Sequence, residues 1–252
     1  MKKVSVIIAV YNGAKYIEET INSILGQSYS NFEIIIVVNC SNDETIDIVK
    51  NIDDARIKIY KTNICQLAFN LNYGLYKSQG KYIMRIDADD VADFTRLEKQ
   101  VYLMDNNEYD VVGSNLLYID ENGNSLGEKK YPEDDIDIRK SFYYRSNIAH
   151  PSVMYKKETI LSVGGYMNGK VSEDYDLWIR LMRDKSIKFY NIQENLTKYR
   201  IHSSQAKGDT YAYAEIAGYF LREAIYQKSI KSFFGSIVYF FKALLKWKKY
   251  YT

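Results

Sequence analysis

Two apolar runs near the N-terminus, Val4–Val10 and Phe32–Val38, are hydrophobic at almost every position. A strand with one face in water alternates apolar and polar residues. A run without alternation predicts a strand buried on both faces. Asn12-Gly13 breaks the first run. Ile17, Ile21, Ile24 and Leu25 then recur on one stripe, which predicts a helix over about 14–25. Ser41 is placed to cap the next helix, with Asp43 and Glu44 suited to its N-terminus. Arg56–Tyr60 predicts a short strand, Leu67–Lys77 a helix and Gly80–Ile86 another strand. Strand-helix alternation with short turns predicts an α/β fold, a mostly parallel, doubly wound (Rossmann-like) central sheet flanked by helices. Ligands of such sheets lie beyond the carboxyl ends of the strands. Asn12, Asn39 and Asp87 all fall at those ends, so three segments converge on one crevice.

The second half is less regular. Helices are expected at Thr95–Met104, Ile136–Tyr143 and Glu173–Met182, the last with Leu177, Ile179 and Leu181 facing inward only in part. Strands are expected at Val111–Ile119 and Pro151–Tyr155, with a hairpin turn at Asn122-Gly123. With no internal repeat and no low-complexity linker, residues 1–205 read as one domain. Residues 206–252 read as a helical C-terminal extension, Tyr211–Gln227 followed by Ile230–Tyr250. The last helix sets Phe233, Phe234, Ile237, Val238, Phe240, Phe241, Leu244, Leu245 and Trp247 against Lys231, Lys242, Lys246, Lys248 and Lys249. A basic amphipathic helix of this kind lies in an anionic membrane interface, or packs on its own domain or a second copy. Both readings stay open.

Composition narrows the setting. The chain has 252 residues, 46% hydrophobic and 26% charged, enough for one large domain with a real core. A net charge of +2 calls for no nucleic-acid partner. Cys40 and Cys65 lack a framework spacing, so both are expected as free thiols in a reducing, cytoplasmic compartment. Val4–Val10 is too short for a signal peptide, and no run reaches the ~18 apolar residues of a bilayer span.

The chemistry concentrates in Arg85-Ile86-Asp87-Ala88-Asp89-Asp90. Three carboxylates in four positions follow a strand-like segment. Asp87 and Asp89 share one face of an extended backbone. Oxygen ligands of this type suit a hard divalent cation, Mg²⁺ or Mn²⁺, and such a cation commonly holds the phosphates of a nucleotide diphosphate. A solvated acidic turn capping the next helix would show the same residues.

Taken in order, several segments resemble the inverting family-2 glycosyltransferases of the GT-A fold, over roughly residues 3–205. Val4–Asn12 resembles the first strand and nucleotide-binding turn, and Phe32–Val37 the second strand. Tyr82–Asp90 resembles the metal-binding DxD segment, and Arg96–Gln100 follows at the family's spacing. His150–Met154 and Glu173–Trp178 resemble the acceptor-side segments, and Tyr199-Arg200-Ile201-His202 the closing motif.

The resemblance implies a transferase that moves a sugar from a nucleotide donor, UDP being favoured, to a hydroxyl of a surface polysaccharide or lipid-linked glycan. It implies Mn²⁺ or Mg²⁺, held by Asp89 directly, with Asp87 on the ribose or a metal-bound water and His202 completing the site. Asp90 would orient the loop. Val10, Tyr11, Asn12, Asn39, Arg85, Asp87, Ala88 and Asp89 would line the nucleotide sugar. Asp174 would be the base that takes the acceptor proton, with Glu173 binding sugar hydroxyls. Trp178 is expected in the pocket wall or the core, His150 in a structural role, Arg85 against Asp87 or a phosphate, and Arg96 as a salt-bridge partner of the acidic loop. The pattern departs at Val38-Asn39-Cys40, where the family has two aspartates and a glycine, and at Asn63–Leu67, which lacks the usual glycine. A non-catalytic nucleotide-sugar-binding partner is one rival reading. A nucleotidyltransferase is another, although Tyr11-Asn12-Gly13-Ala14 is not its Gly-rich basic loop.

Overall fold

The two N-terminal apolar runs become the middle of a sheet. In the computed structural model, which describes residues 3–107, 109–167, 169–203, 205 and 210–251, the side chains of 247–251 excepted, the first half runs β1 (Val4–Val10), α1 (Ile17–Leu25), β2 (Phe32–Asn39), α2 (Thr45–Lys50), β3 (Ile57–Thr62), α3 (Leu67–Lys77) and β4 (Tyr82–Arg85). It continues with β5 (Val91–Ala92), α4 (Arg96–Asn106), β6 (Val111–Ile119), β7 (Ser125–Lys129), α5 (Asp135–Ser141), a 3₁₀ turn (His150–Ser152), β8 (Met154–Lys156), α6 (Lys157–Ser162), α7 (Glu173–Met182) and β9 (Phe189–Arg200). Two helices close it, α8 (Thr210–Tyr226) and α9 (Ile230–Tyr251).

Among the described residues the sheet order is β3-β2-β1-β4-β8-β6-β9-β5, with β7 paired to β6. The block β3-β2-β1-β4 is parallel, in register from Val4 opposite Phe32 to Val10 opposite Val38. β8 then runs antiparallel to both β4 and β6, and β9 lies parallel to β6. β1 is apolar at every position but Ser5 because it feeds two cores. Val4, Val6, Ile8 and Val10 join one cluster with α1, α2 and α4. Ile7 joins the other, with α3, α5, α7, α8 and α9.

The C-terminal helices belong to that second core. Ile216, Ala217, Phe220 and Tyr239 pack in it, and the Tyr239 hydroxyl lies 2.7 Å from that of Tyr175 on α7. Their cover explains why Leu177, Ile179 and Leu181 are all buried, where the pattern implied partial exposure. A helix enclosed on all sides shows no clean amphipathic stripe. Two other expectations shift. Pro151 lies in a 3₁₀ turn, so the strand expected from residue 151 begins only at Met154. β9, twelve residues long, was not apparent because its FYNIQENLTKYR mixes polar and apolar positions and its pairing with β6 carries register shifts.

β4 can lie against β1 only because Gly80 lacks a side chain. A Cβ there would sit 2.5 Å from the backbone nitrogen of Ser5. Gly218, in α8, has open space around the same position. Gly80→Ala should therefore lose about 1–3 kcal/mol in urea denaturation, since backbone cannot yield. Gly218→Ala should gain about 0.5–1 kcal/mol from helix propensity. Equal stability of the two variants would contradict the close approach of the strands.

Candidate active site

The acidic run leaves the sheet at the end of β4 and turns back at once. Asp87, Asp89 and Asp90 each place a carboxylate oxygen so that all three lie within 4.8 Å of one another. Like charges this close repel unless something compensates. Four neighbours do so. Arg85, buried, grips both oxygens of Asp87, with Nη1 donating to Oδ2 at 2.8 Å and Nη2 to Oδ1. His202 Nε2 lies 2.8 Å from Asp89 Oδ2. The Arg200 backbone N–H donates to Asp90 Oδ1 at 2.9 Å, and its Nε to the Asp89 carbonyl at 2.9 Å. From α1, the Thr20 hydroxyl bonds the carbonyls of Ala88 (3.0 Å) and Asp90 (2.8 Å).

Compensation remains incomplete. Asp90 Oδ2 is buried with no hydrogen-bond partner. Burial holds Asp90 well above the usual carboxylate range, and the charges of Asp87 and Asp89 add to it. Asp87 is also raised by burial, with Arg85 opposing. A divalent cation would relieve both, and a set of carboxylate oxygens plus one imidazole nitrogen fits Mg²⁺ or Mn²⁺.

Two turns approach this loop from the neighbouring strands. Asn12 has φ of 49° and accepts from the Asn42 amide at 2.9 Å, while its own N–H donates to Ser41 Oγ at 3.0 Å. Gly13 N–H donates to Thr45 Oγ1 at 2.9 Å, and Ala14 N–H to Asp43 Oδ2 at 3.1 Å. The β1–α1 and β2–α2 turns are thus laced together. Ser41 serves this lacing rather than capping α2, whose start at Thr45 is held by Asp43. Asn39 is buried at the end of β2, and its side-chain amide makes no hydrogen bond to any described residue.

Cys40 corrects an expectation. It is bonded to Cys65, with Cα atoms 5.7 Å apart, so the two thiols expected to be free are paired. Sequence separation hid their approach: β2 and β3 run side by side and bring residue 40 beneath the loop that enters α3. Cys40 has φ of 50°, a backbone region that favours glycine, and glycine is what the resembling pattern has there. The glycine-poor loop after β3 is shaped by Asn70, which donates to the carbonyls of Ile64 (2.7 Å) and Gln66 (2.8 Å).

Across the crevice, Glu173 and Asp174 start α7. Burial pushes Glu173 up to about 7, with the charge of Asp174 adding to it. Burial pushes Asp174 up to about 6, against the Tyr175 amide that donates to it at 2.8 Å. Arg85 lowers and Asp87 raises both, so the pair and the acidic loop share one electrostatic field. His150 Nδ1 is 3.8 Å from Glu173, and its Nε2 meets the Tyr166 hydroxyl at 2.8 Å. Burial and Arg85 keep His150 neutral, as a packing and positioning group. Trp178 is a core residue, buried edge-on to His150. Beside Asp174 opens a cavity of about 400 Å³, lined among others by Tyr213, Tyr239, Lys129, Arg145 and Lys242.

Three expected residues turn out differently, or lie apart. Arg96 is not a salt-bridge partner. It is buried and donates to the carbonyl of Arg85 at 2.8 Å and to Thr197 Oγ1 at 2.9 Å, so it holds the strand leading to the loop. Val10 is a core residue, and Tyr11 is 59% exposed, so their side chains do not join the polar cluster. Thr20 and Arg200 were not singled out for the roles they fill. Arg200 appeared only inside a motif, yet its guanidinium also reaches Glu19 at 2.6 Å and stacks 4.5 Å from the Tyr16 ring.

The family model described as glycosyl transferase family 2 matches residues 5–161. The O-antigen biosynthesis glycosyltransferase WbnJ of Escherichia coli is 41% identical over 249 residues, covering 96% of this chain and 97% of its own. The Escherichia coli protein named UDP-Glc:alpha-D-GlcNAc-diphosphoundecaprenol beta-1,3-glucosyltransferase WfaP is 32% identical over 212 residues, covering 84% and 82%. Among solved structures, S. aureus TarS 1-349 in complex with UDP-GlcNAc superposes with a TM-score of 0.73 at 19% identity, over 88% of this chain and 66% of that one. The mannosyltransferase PcManGT of Pyrobaculum calidifontis, in complex with GDP-Man and Mn²⁺, does so at 0.68 and 16%, over 94% and 69%. At these identities the likeness is one of fold.

The raised carboxyls of Glu173 and Asp174 carry a signed consequence. Their folded values, about 7 and about 6, exceed the ordinary ~4 of an unfolded chain. The folded state therefore binds protons more tightly, and stability falls as pH rises from ~4 toward 7. Asp174→Asn should raise the urea midpoint relative to the parent chain at pH 7.5, and the gain should shrink at pH 5. A variant destabilised equally at both pH values would refute the buried-charge account.

Proposed function

The chain belongs to glycosyl transferase family 2, and from that premise we propose a metal-dependent, inverting enzyme that moves a hexosyl or N-acetylhexosaminyl group from a UDP-linked donor to a hydroxyl of a growing surface polysaccharide or lipid-linked glycan. One observation carries the proposal. A three-carboxylate loop and a separate pair of raised carboxyls are both in the field of the same buried Arg85, which contacts Asp87 directly. Transfer with inversion needs that division, since the leaving diphosphate and the attacking hydroxyl stand on opposite faces of the sugar.

In this reading Asp87, Asp89 and His202 hold Mn²⁺ or Mg²⁺, which when bound offsets the charge of the leaving diphosphate. Arg85 opposes the burial that raises Asp87 and aims its carboxylate. The Asn39 amide, at the end of β2, reads the base edge. Uracil presents a complementary donor and acceptor, and the UDP-Glc in the name of WfaP and the UDP-GlcNAc bound by TarS favour it over the GDP-Man of PcManGT. The backbone of Val10-Tyr11-Asn12 and of Ala88 walls the nucleotide. Asp174 takes the proton from the acceptor hydroxyl, and Glu173 binds sugar hydroxyls and keeps the pair's pKa near neutrality. Residues 1–205 form the transferase unit and 206–252 its appendage.

A thermal-shift panel tests the donor side. UDP or a UDP-sugar with Mn²⁺ should stabilise the protein, and EDTA or Asp89→Ala should remove most of that gain. If no nucleoside diphosphate stabilises it in a metal-dependent way, the proposal fails.

We further propose that the chain is a peripheral protein at a membrane surface. None of the helices searched among the described residues is long and apolar enough to cross one. Yet α9 turns Phe233, Phe234, Phe240, Phe241 and Leu245 to solvent, while Tyr239 and Ala243 on its other side are buried. Trp247, Lys248 and Lys249, counted in this face from the sequence, lie outside the described side chains. An apolar stripe flanked by lysines suits an anionic leaflet. Because α9 also covers the core, deleting it would unfold its neighbours. Phe234→Ser with Phe241→Ser is the cleaner test: the fraction co-sedimenting with phosphatidylglycerol vesicles should drop at least several-fold. Unchanged co-sedimentation would count against membrane contact.

A further inference from the structure

The core beside Glu173 holds a chain of groups that proton transfer to Asp174 does not use. Tyr155 on β8, Tyr166 in the segment between α6 and α7, and His150 in the 3₁₀ turn are all buried. The Tyr155 hydroxyl lies 3.3 Å from that of Tyr166, the Tyr166 hydroxyl 2.8 Å from His150 Nε2, and His150 Nδ1 3.8 Å from Glu173 Oε1. Tyr166 is firmly placed. Its backbone N–H donates to Asn72 Oδ1 at 2.9 Å, and its carbonyl accepts from Asn72 Nδ2 at 2.6 Å. Arg180 Nη2 of α7 donates to the preceding Gly165 carbonyl at 2.7 Å.

The hydrogens give this chain a direction. Burial raises both phenols, so each keeps its one hydrogen, and burial keeps His150 neutral with a single N–H. Among the described residues, the Tyr155 hydroxyl bonds only that of Tyr166. If Tyr155 donates to Tyr166 and Tyr166 to Nε2, both phenolic hydrogens find acceptors, and the imidazole hydrogen sits on Nδ1, facing Glu173. In the reverse order the Tyr155 hydrogen is buried without an acceptor, and the Nδ1 lone pair faces a carboxyl oxygen. Both are costly.

We propose that His150 is a positioning residue for the carboxyl pair: held as the Nδ1–H tautomer by Tyr166, it donates to the ionised Glu173 carboxylate and leaves Asp174 to take the acceptor proton. The inference rests on the roles given above to Glu173 and Asp174. The 3.8 Å between Nδ1 and Oε1 is longer than a hydrogen bond, and rotation about the Glu173 side chain is the motion that shortens it. As the pair stands, Glu173 keeps its proton to the higher pH, about 7 against about 6. A donated N–H favours the charged carboxylate, and that charge raises the proton affinity of Asp174 beside it. The other charged or titratable groups facing Glu173 are Arg85 from β4, Asp87 from the acidic loop, Tyr166, and Tyr219 from α8. Of these, Arg85 works in the same direction as the imidazole.

Nitrogen-15 NMR of the full chain with labelled histidine, in EDTA, tests it. The chain has two histidines, and His202→Asn identifies the second. At pH 7.5 His150 should show a protonated Nδ1 and a bare Nε2. Carbon-13 labelling of the glutamate carboxyls, with Glu173→Gln to assign the resonance, reads the other end of the contact. His150→Phe should raise the midpoint of the Glu173 titration by at least about one pH unit, the worth of a charge-assisted hydrogen bond. His150→Asn, whose amide nitrogen takes the place of Nδ1, should restore most of the difference. A packing role alone would lower the melting temperature of both variants and leave the titration where it was. A bare Nδ1, a charged imidazole, or an unmoved titration in His150→Phe would overturn the proposal. The tautomer is read on the unmutated chain without nucleotide or acceptor, so its outcome is separate from that of the transferase reading, which the nucleotide panel decides.

Discussion

Everything in the crevice depends on holding three carboxylates within 4.8 Å of one another in a folded protein. Such a loop would open in solution. Here its carbonyls are fixed by Thr20 and by Arg200 Nε, one carboxylate is clamped by Arg85, another by His202, and Asp90 accepts the Arg200 backbone N–H. Arg85 is in turn held by Arg96, which bonds its carbonyl from beneath. Asp90 Oδ2, buried without a partner, marks how far the described residues alone compensate. A loop with that much restraint and a buried unpartnered carboxylate oxygen fits a cation, since its groups would need little reordering to receive the charge.

Arg85 also explains why the crevice works as one unit. Its guanidinium faces the acidic loop and lowers the carboxyls at the head of α7. Those carboxyls sit in a helix buried on nearly all sides, and the covering comes from α8 and α9. The C-terminal helices therefore set the dielectric environment of Glu173 and Asp174, although they contribute no group to the acidic loop. The same two helices wall the cavity beside Asp174.

Much of this was legible in residue order. β1 and β2 announced themselves because strands buried on both faces have no reason to alternate, and the structure buries them so. The Asp87–Asp90 run stood out because self-repelling charge beyond an apolar strand needs a cause. What stayed hidden was whatever depends on distance. Thr20 looks like any polar helix residue until Ala88 and Asp90 are beside it, 68 and 70 residues away. The disulfide needed two parallel strands in register to bring its ends together. β9 was missed since its polar residues are spent on partners such as Pro132 and Asn147, which Asn191 bonds, and a strand that stabilises itself through amides leaves no hydrophobic period to read. Arg96 was misassigned because an arginine after an acidic run suggests a charge pair, whereas its burial among carbonyls makes it a bracket for the backbone.

The contacts that close the acidic loop have an unusual reach along the chain. Arg200 and His202 meet Asp89 and Asp90 across 110 to 113 residues, whereas the laced turns at Asn12 and Asn42 join across 30. Bringing distant segments together costs loop entropy before it returns contact energy. The laced β1–α1 and β2–α2 turns can thus assemble while the chain is still being made, but the acidic loop must wait for β9 to emerge and dock. Until then its carboxylates are free to spread apart. A nascent or truncated chain that ends before β9 therefore presents the crevice with its acidic loop still unclosed, and the loop takes its final shape only once residues 200–202 have docked.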